Sequence, residues 1–469
     1  MFSKADLEEV LQVARRGGDF AEIFIEEKRS TTISCEDKKI ERVITGHEKG
    51  AGIRVIRGES TAYGYTNVLT KEELLRLAER VGKAARTNPV ETIALMRRES
   101  PVEVKVIRRP DEESIEKKAE LVRAAEDAAR VVDEKLIRQV RVGYGDVTQK
   151  VTIANSDGVY VEDERIRSRL SVTAVAAEGQ VIQTGYESAG GTKGLELFDE
   201  EKPIELGRCA ARRALLMLHA RKAPAGRMPV VLAGEAGGTM IHEACGHGLE
   251  ADLAQKGLSV YSNRKGEQVA SELVTVVDDG TLPGKFGTQR FDDEGNPAQR
   301  TVLIEKGVLR GYMYDRITAA KEEAEFTGNG RRESYQHRPI PRMTNTYLAP
   351  GDASPDEIIR ETKTGLFVRR MGGGQVNTTT GDFVFEVTEG YLIEDGEATV
   401  PVRGATLTGN GPEVLKKIDM IGRDFGFSIG VCGKDGQGVP VSDAQPTIRI
   451  PEIIVGGILE EEEDAGGQA

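Results

Sequence analysis

Apolar residues recur at helical spacing over residues 4–16, and the pattern then changes to β-rich runs, "AEIFIEEKRSTTISCEDKKIERVITGHEKGAGIRVIRGESTAYGYT", cut by glycine and charged turns. Helical spacing returns in "KEELLRLAERVGKAAR". The same order then repeats. A helix, "ESIEKKAELVRAAEDAARVV", precedes the strand-like run "IRQVRVGYGDVTQKVTIANSDGVYVEDERIRSRLSVTAVAAEGQVIQTGYES" and a closing helix around "LGRCAARRALLMLHA". A helix, antiparallel-strands, helix unit present twice predicts an N-terminal α+β domain over residues 1–221 with an internal duplication. The Pro, Gly and Ala content of "KAPAGRMP", residues 222–229, reads as a linker. Residues 230–459 hold short strands between glycine turns and predict a C-terminal β-rich domain carrying a few helices. The stretch "EEEEDAGGQA", residues 460–469, is a like-charge run without apolar anchors and reads as a disordered acidic tail.

Length and charge narrow the function classes. A chain of 469 residues has ample core for two or three domains. Lys+Arg 64 against Asp+Glu 77 leaves a net charge of −13, which opposes attraction to phosphate backbones and anionic lipid. Direct contact with nucleic acid or a membrane is therefore not expected. The N-terminus has no apolar signal core and no run approaches the roughly 18 apolar residues of a membrane span, so the expected compartment is the cytoplasm. Cys35, Cys209, Cys245 and Cys432 are widely spaced and encode neither a disulfide framework nor a C-x-x-C clamp. Any cysteine with a chemical role acts singly.

The stretch "TMIHEACGHGLEAD", residues 239–252, holds two of the five histidines, His242 and His247, with Glu243 directly after the first. In H-E-x-x-H peptidases the histidines are four apart and differ by about 40° around the helix axis; five apart they differ by about 140° and cannot share a ligand on a straight helix. An i→i+5 turn realigns them, and such turns concentrate at functional sites. Gly246 offers the permissive backbone for that turn, and Gly248 an early helix exit.

A catalytic zinc needs three protein ligands and an open position. His337 could supply the third, but Cys432 in "SIGVCGKDGQGVPV" is the better chemical candidate, because a glycine-flanked loop beside Lys434 favours a thiolate. Cys245, two residues before His247, points to another helix face and reads as a small buried apolar residue.

The segments "HEACGHGLEAD", "DDEGNPAQRTVLIEKGVLRGYMYD", "TGNGRRESYQHRPIPRMTNTYLAPG", "GGGQVNTTTGDFVFEVTEGYLIEDG" and "VCGKDGQGVPV", in this order, resemble the TldD branch of the TldD/PmbA metallopeptidase family. The resemblance is dense over residues 228 to about 455 and looser before. It implies a zinc peptidase acting on unfolded or short peptides, with ligands at His242, His247 and Cys432 and a general base at Glu243. It also implies a subunit that dimerises, as a homodimer or with a PmbA/TldE-type paralogue lacking the metal motif, and so encloses the active site. One departure is "VPVSDAQPT", where the family reads closer to Val-Gly-Val-Gly-Gln-Pro-Thr; Ser442 and Asp443 are expected to alter the surface beside the metal loop without touching the ligands.

In this reading Glu243 moves the proton of the attacking water. Glu250 and Asp252 either orient an imidazole N–H or form a solvated helix face. His337, Arg342 and Asn345 are candidates to bind substrate, and a peptide is expected to add as a strand to an exposed edge in the β-rich half. The alternative is a non-catalytic peptide-binding or regulatory subunit with a structural zinc.

Overall fold

The structure, a computed structural model, describes residues 2–83 and 93–457. Helix α1 (Lys4–Arg15) opens on a capping box in which the Ser3 hydroxyl accepts from the Asp6 N–H and the Asp6 carboxylate accepts from the Ser3 N–H. A meander of β1 (Phe20–Glu36), β2 (Lys39–Arg57) and β3 (Ser60–Thr66) follows, then α2 (Lys71–Lys83). After the short β4 (Met96–Arg97) the unit recurs as α3 (Ile115–Arg130), β5 (Ile137–Asn155), β6 (Val159–Glu178), β7 (Val181–Gly191), the one-turn α4 (Leu197–Glu200) and α5 (Pro203–Leu218). The two meanders form one sheet, joined by antiparallel pairing of their first strands from Glu22↔Asn155 to Glu36↔Arg141.

Each helix pair covers its own three strands. Leu7, Leu11, Leu74 and Ala78 bury against Ile23 and Ile53, while Val122, Ala125, Ala210 and Ala214 bury against Val140, Val142 and Val172. Each fully buried Leu, Ile or Val contributes about 1.5–3 kcal/mol, so the helical spacing read from the chain is what holds the helices to the sheet. The opposite face docks on the C-terminal half through an apolar cluster of Phe24, Val151, Ile153 and Val161 against Phe291 and Tyr335, and through buried ion pairs. Arg54 reaches Glu22 and Glu294 at 2.6 Å each, and Arg332 and Arg165 reach Glu22 and Asp293.

Residues 222–229 do not form a free linker. Gly226–Leu232 is a strand within an eight-stranded sheet, parallel to Gly365–Val376 and antiparallel to Ile448–Gly456. Pro229, which weighed toward a linker, sits opposite a register irregularity between Ile450 and Ile453, where a missing N–H costs no regular ladder bond. Because Gly365–Val376 also pairs with Asp382–Glu394, this sheet closes on itself. A six-stranded sheet lies beside it and ends in Asn345–Leu348, Gln437–Gln445 and the edge strand Gly426–Lys434. The architecture is therefore α+β with a β-rich C-terminal half, as the pattern predicts. Among the described residues no helix is long and apolar enough to cross a membrane. The acidic stretch 460–469 and the helical pattern beyond Lys83 lie outside the described residues.

Candidate metal centre

The strand Gly226–Leu232 runs through a single turn at Gly234–Ala236 into Thr239–Ile241, where the helix widens. Over His242–Gly246 it is a π-turn, closed by the His247 N–H donating to the His242 carbonyl, and it tightens at His247–Leu249 before Ala251–Gln255. The five-residue spacing is thus absorbed by an i→i+5 bond. Gly246 contributes differently from expectation. Its φ of −51° suits any residue, but a Cβ there would meet Met343 Sδ at 2.3 Å. Close packing against Met343, not backbone freedom, is what a side chain there would disturb. Met240, Ile241, Ala244, Cys245 and Leu249 anchor the segment in the largest apolar core, and the Tyr261 hydroxyl donates to the Ala244 carbonyl at 2.8 Å.

The turn brings the two imidazoles face to edge, with centroids 4.9 Å apart and planes at 87°. Cys432, on the edge strand Gly426–Lys434, places Sγ 3.4 Å from His247 Nε2. One ligand atom from each of His242, His247 and Cys432 lies within 4.8 Å of the others, an arrangement that could hold a metal ion. Each imidazole is aimed by a carboxylate on its far nitrogen. His242 Nδ1 donates to Asp443 Oδ1 at 2.7 Å and His247 Nδ1 to Glu250 Oε2 at 3.1 Å, which leaves both Nε2 atoms facing the shared space. Two imidazoles and a thiolate form a donor set suited to zinc.

Electrostatics agree with that chemistry. Burial opposes a thiolate at Cys432, but hydrogen bonds from His242 and His247 outweigh it and bring the thiol down to about 5. His247 is raised to about 9, burial being overcome by Glu250 and Cys432. Glu243 is half-buried beside them; burial lifts its carboxyl above the usual range against the pull of both histidines. Cys245 is separate from the group: its Sγ donates to the Ile241 carbonyl and burial pushes the thiol up to about 12.

Glu250, fully buried, also pairs with Lys434 Nζ at 3.1 Å; burial disfavours its charge, yet Lys434 and His247 hold the carboxyl down at about 2. Asp252 pairs with Lys434 at 2.9 Å and meets neither imidazole. Neither residue belongs to a solvated helix face.

The substrate-binding expectation for Arg342 and Asn345 is corrected. Both are fully buried. Arg342 donates to the Cys432 carbonyl at 2.6 Å and to the Gln437 carbonyl at 3.1 Å, with Nε 3.6 Å from Glu250, so it braces the strand that carries Cys432. Asn345 donates to the Asp279 carbonyl at 2.7 Å and accepts from the Gly287 N–H. His337 bonds Ser334 at 3.1 Å and is not among the residues lining the cleft. Asp443, expected to leave the ligands untouched, is instead the partner of His242. Nothing local signals it, since the two stand 201 positions apart. Replacing Asp443 by Asn should lower metal affinity about 10- to 100-fold. Titration of the metal against a competing chelator reads this directly, and an unchanged affinity would show that Asp443 does not orient His242.

The group opens on a cleft of about 610 Å³ lined by His242, Glu243 and Cys432, by Tyr186–Gly190 of β7 and by Gly372–Gly374. Both halves of the chain therefore contribute walls.

Residues 21–85, 108–218 and 225–457 match, in turn, the families described as PmbA/TldA metallopeptidase domain 1, central domain and C-terminal domain. A metalloprotease TldD homolog from Haemophilus influenzae is 39% identical over 463 residues, covering 95% of this chain and 94% of that protein. A metalloprotease from Methanocaldococcus jannaschii is 38% identical over 455 residues, covering 96% and 99%. The solved structure of TldE from Thermococcus kodakarensis shares the fold, with a TM-score of 0.75 at 20% identity over 96% of this chain and 100% of that one.

Proposed function

Given that the chain belongs to the TldD/PmbA metallopeptidase family, in its TldD branch, we propose that it is a zinc-dependent peptidase hydrolysing unfolded or short peptides inside an enclosed dimer cavity. The observation that carries this reading is the meeting of two imidazoles and a low-lying thiolate at a cleft lined by His242 and Cys432, beside a half-buried carboxyl held above its usual range. His242, His247 and Cys432 hold one zinc ion per chain, which supplies Lewis acidity toward water and toward a carbonyl oxygen.

The remaining work falls to the chain's own groups. Glu243 takes the proton of the attacking water and returns it to the leaving amine; a carboxyl lifted by burial is better matched to both transfers than one at its ordinary value. Asp443 and Glu250 fix the imidazole orientations, and Arg342 fixes the Cys432 carbonyl. The outermost strand, Gly426–Lys434, lines the cleft with residues Phe427 to Cys432. Its free edge suits a peptide added as a further strand, recognised through its main chain. The partner is a second copy or a PmbA/TldE-type paralogue, a reading supported by the fold shared with a TldE protein, and the working compartment is the cytoplasm.

Main-chain recognition inside an enclosure requires an extended substrate. One substrate domain assayed folded and chemically unfolded, at equal concentration, should be cut at least about tenfold faster when unfolded. Equal rates on the two forms would remove the enclosed-cavity part of the proposal and leave the chemistry standing.

A further inference from the structure

Buried cations in this chain are mostly matched by carboxylates. Arg54 meets Glu22 and Glu294, Arg165 meets Asp163 and Asp293, Arg332 meets Glu22, and Lys118 meets Asp146. Arg167, half-buried, has no such partner among the described residues. It lies two residues beyond Arg165, on the same face of β6, and donates to the carbonyls of Phe286 at 2.9 Å and Thr288 at 3.0 Å. Among the described residues no carboxylate stands within ion-pair distance of it. Burial, and then the charges of Arg331 and Arg165, push its pKa down to about 9. Arg331, its like-charged neighbour, also donates to backbone carbonyls, those of Met343 and Pro440.

Arg167 faces a cavity of about 480 Å³ between the sheet of the first half and the C-terminal half. Sheet register sets the cavity wall. Lys28 pairs with Gln149, Ser30 with Val147 and through it Arg167, and Thr32 with Gly145 and through it Arg169, so these rows share one face. Lys28 and Arg169 line the cavity too, and neither has a carboxylate within ion-pair distance among the described residues. The two carboxylates on its wall are engaged: Asp146 by Lys118 and the Tyr144 hydroxyl, each at 2.7 Å, and Glu333 by the Gly438 N–H at 2.6 Å. The wall opposite includes Val431, which also lines the metal cleft and directly precedes Cys432.

We propose that this cavity is an oxyanion-binding site whose donors are the guanidiniums of Arg167 and Arg169 and the ammonium of Lys28. Three cations converge on this cavity without a paired carboxylate among the described residues, and a carboxylate or phosphate supplies the missing counter-charge while matching the planar guanidinium fork. Because Val431 is common to both cavities, a peptide lying in the cleft can extend a carboxylate past that strand to these cations. A free oxyanion would satisfy the same donors. The peptide source rests on the peptidase reading; the oxyanion site does not.

Calorimetry separates the cases, using inorganic phosphate and one peptide in two forms, with a free C-terminal carboxylate and as the amide. The protein is the Glu243→Gln variant, which leaves peptide uncut, alone and combined with Arg169→Gln, Lys28→Gln or Arg167→Gln. Loss of one charge-assisted donor should weaken binding of the site's ligand about tenfold or more. A free-acid peptide preferred over its amide, with the preference lost in Arg169→Gln, assigns the site to the peptide. Phosphate binding that weakens in Arg169→Gln, with the two peptides equal, assigns it to a free oxyanion. Arg169 is exposed and Lys28 half-buried, so these variants keep the test valid even if Arg167→Gln fails to fold. Absence of phosphate binding together with equal affinity for acid and amide would overturn the proposal, as would affinities that no variant alters.

Discussion

Replacing Glu243 by glutamine is expected to lower peptide hydrolysis by about 10²–10⁴-fold while the metal content of the protein stays unchanged. Glutamine keeps the shape of the side chain and loses only the ability to accept and return a proton. Glu243 lines the cleft next to the proposed metal group and directly follows His242, yet its carboxylate is not one of the three grouped donors. Casein turnover and zinc content measured on the same preparation check both halves. Near wild-type turnover with the metal in place would eliminate Glu243 as the base.

Cys432→Ala should lose most zinc and all measurable hydrolysis, whereas Cys245→Ala should keep both. The contrast follows from the surroundings of the two sulfurs. Cys432 has both imidazoles beside it and a thiol brought down to about 5; Cys245 has one carbonyl acceptor and a thiol pushed to about 12. Without Cys432 two imidazoles remain, one short of the three protein ligands a catalytic zinc requires. Oxidation of the thiolate removes the same lone pair, so peroxide should release zinc from the wild type. One equivalent of zinc retained by Cys432→Ala after gel filtration would sink the ligand assignment.

The parts of this molecule that follow from local periodicity are legible in its sequence. The duplicated helix, strands, helix unit is visible because apolar period changes from 3.6 to 2 and back within each copy, and those same apolar positions form the two helix-to-sheet cores. The five-residue histidine spacing likewise implies an i→i+5 turn before any coordinates. Non-local contacts are where reading fails. "RPIPRMTN" shows an arginine and an asparagine of the kind that bind peptide backbones, but only the tertiary fold shows that Arg342 spends its donors on the carbonyls of Cys432 and Gln437. Pro229 mimics a linker because composition cannot reveal a bulge in the strand opposite. Asp443 looks like a surface variation until the parallel pairing of Asn345 with Ser442 sets the neighbouring strand beside the π-turn.

The distance along the chain between the groups proposed to hold the metal also bears on when activity can arise. His242 and His247 are synthesised well before Cys432 and Asp443, which sit on the last two strands of the six-stranded sheet. A growing chain that has folded only as far as the histidine helix has two donors, no thiolate and no orienting carboxylate on His242. The proposed peptidase is therefore its own safety catch. If unfolded peptides are its substrates as proposed, its own growing chain is one of them, and the protein stays inert until its C-terminal strands have been made and paired.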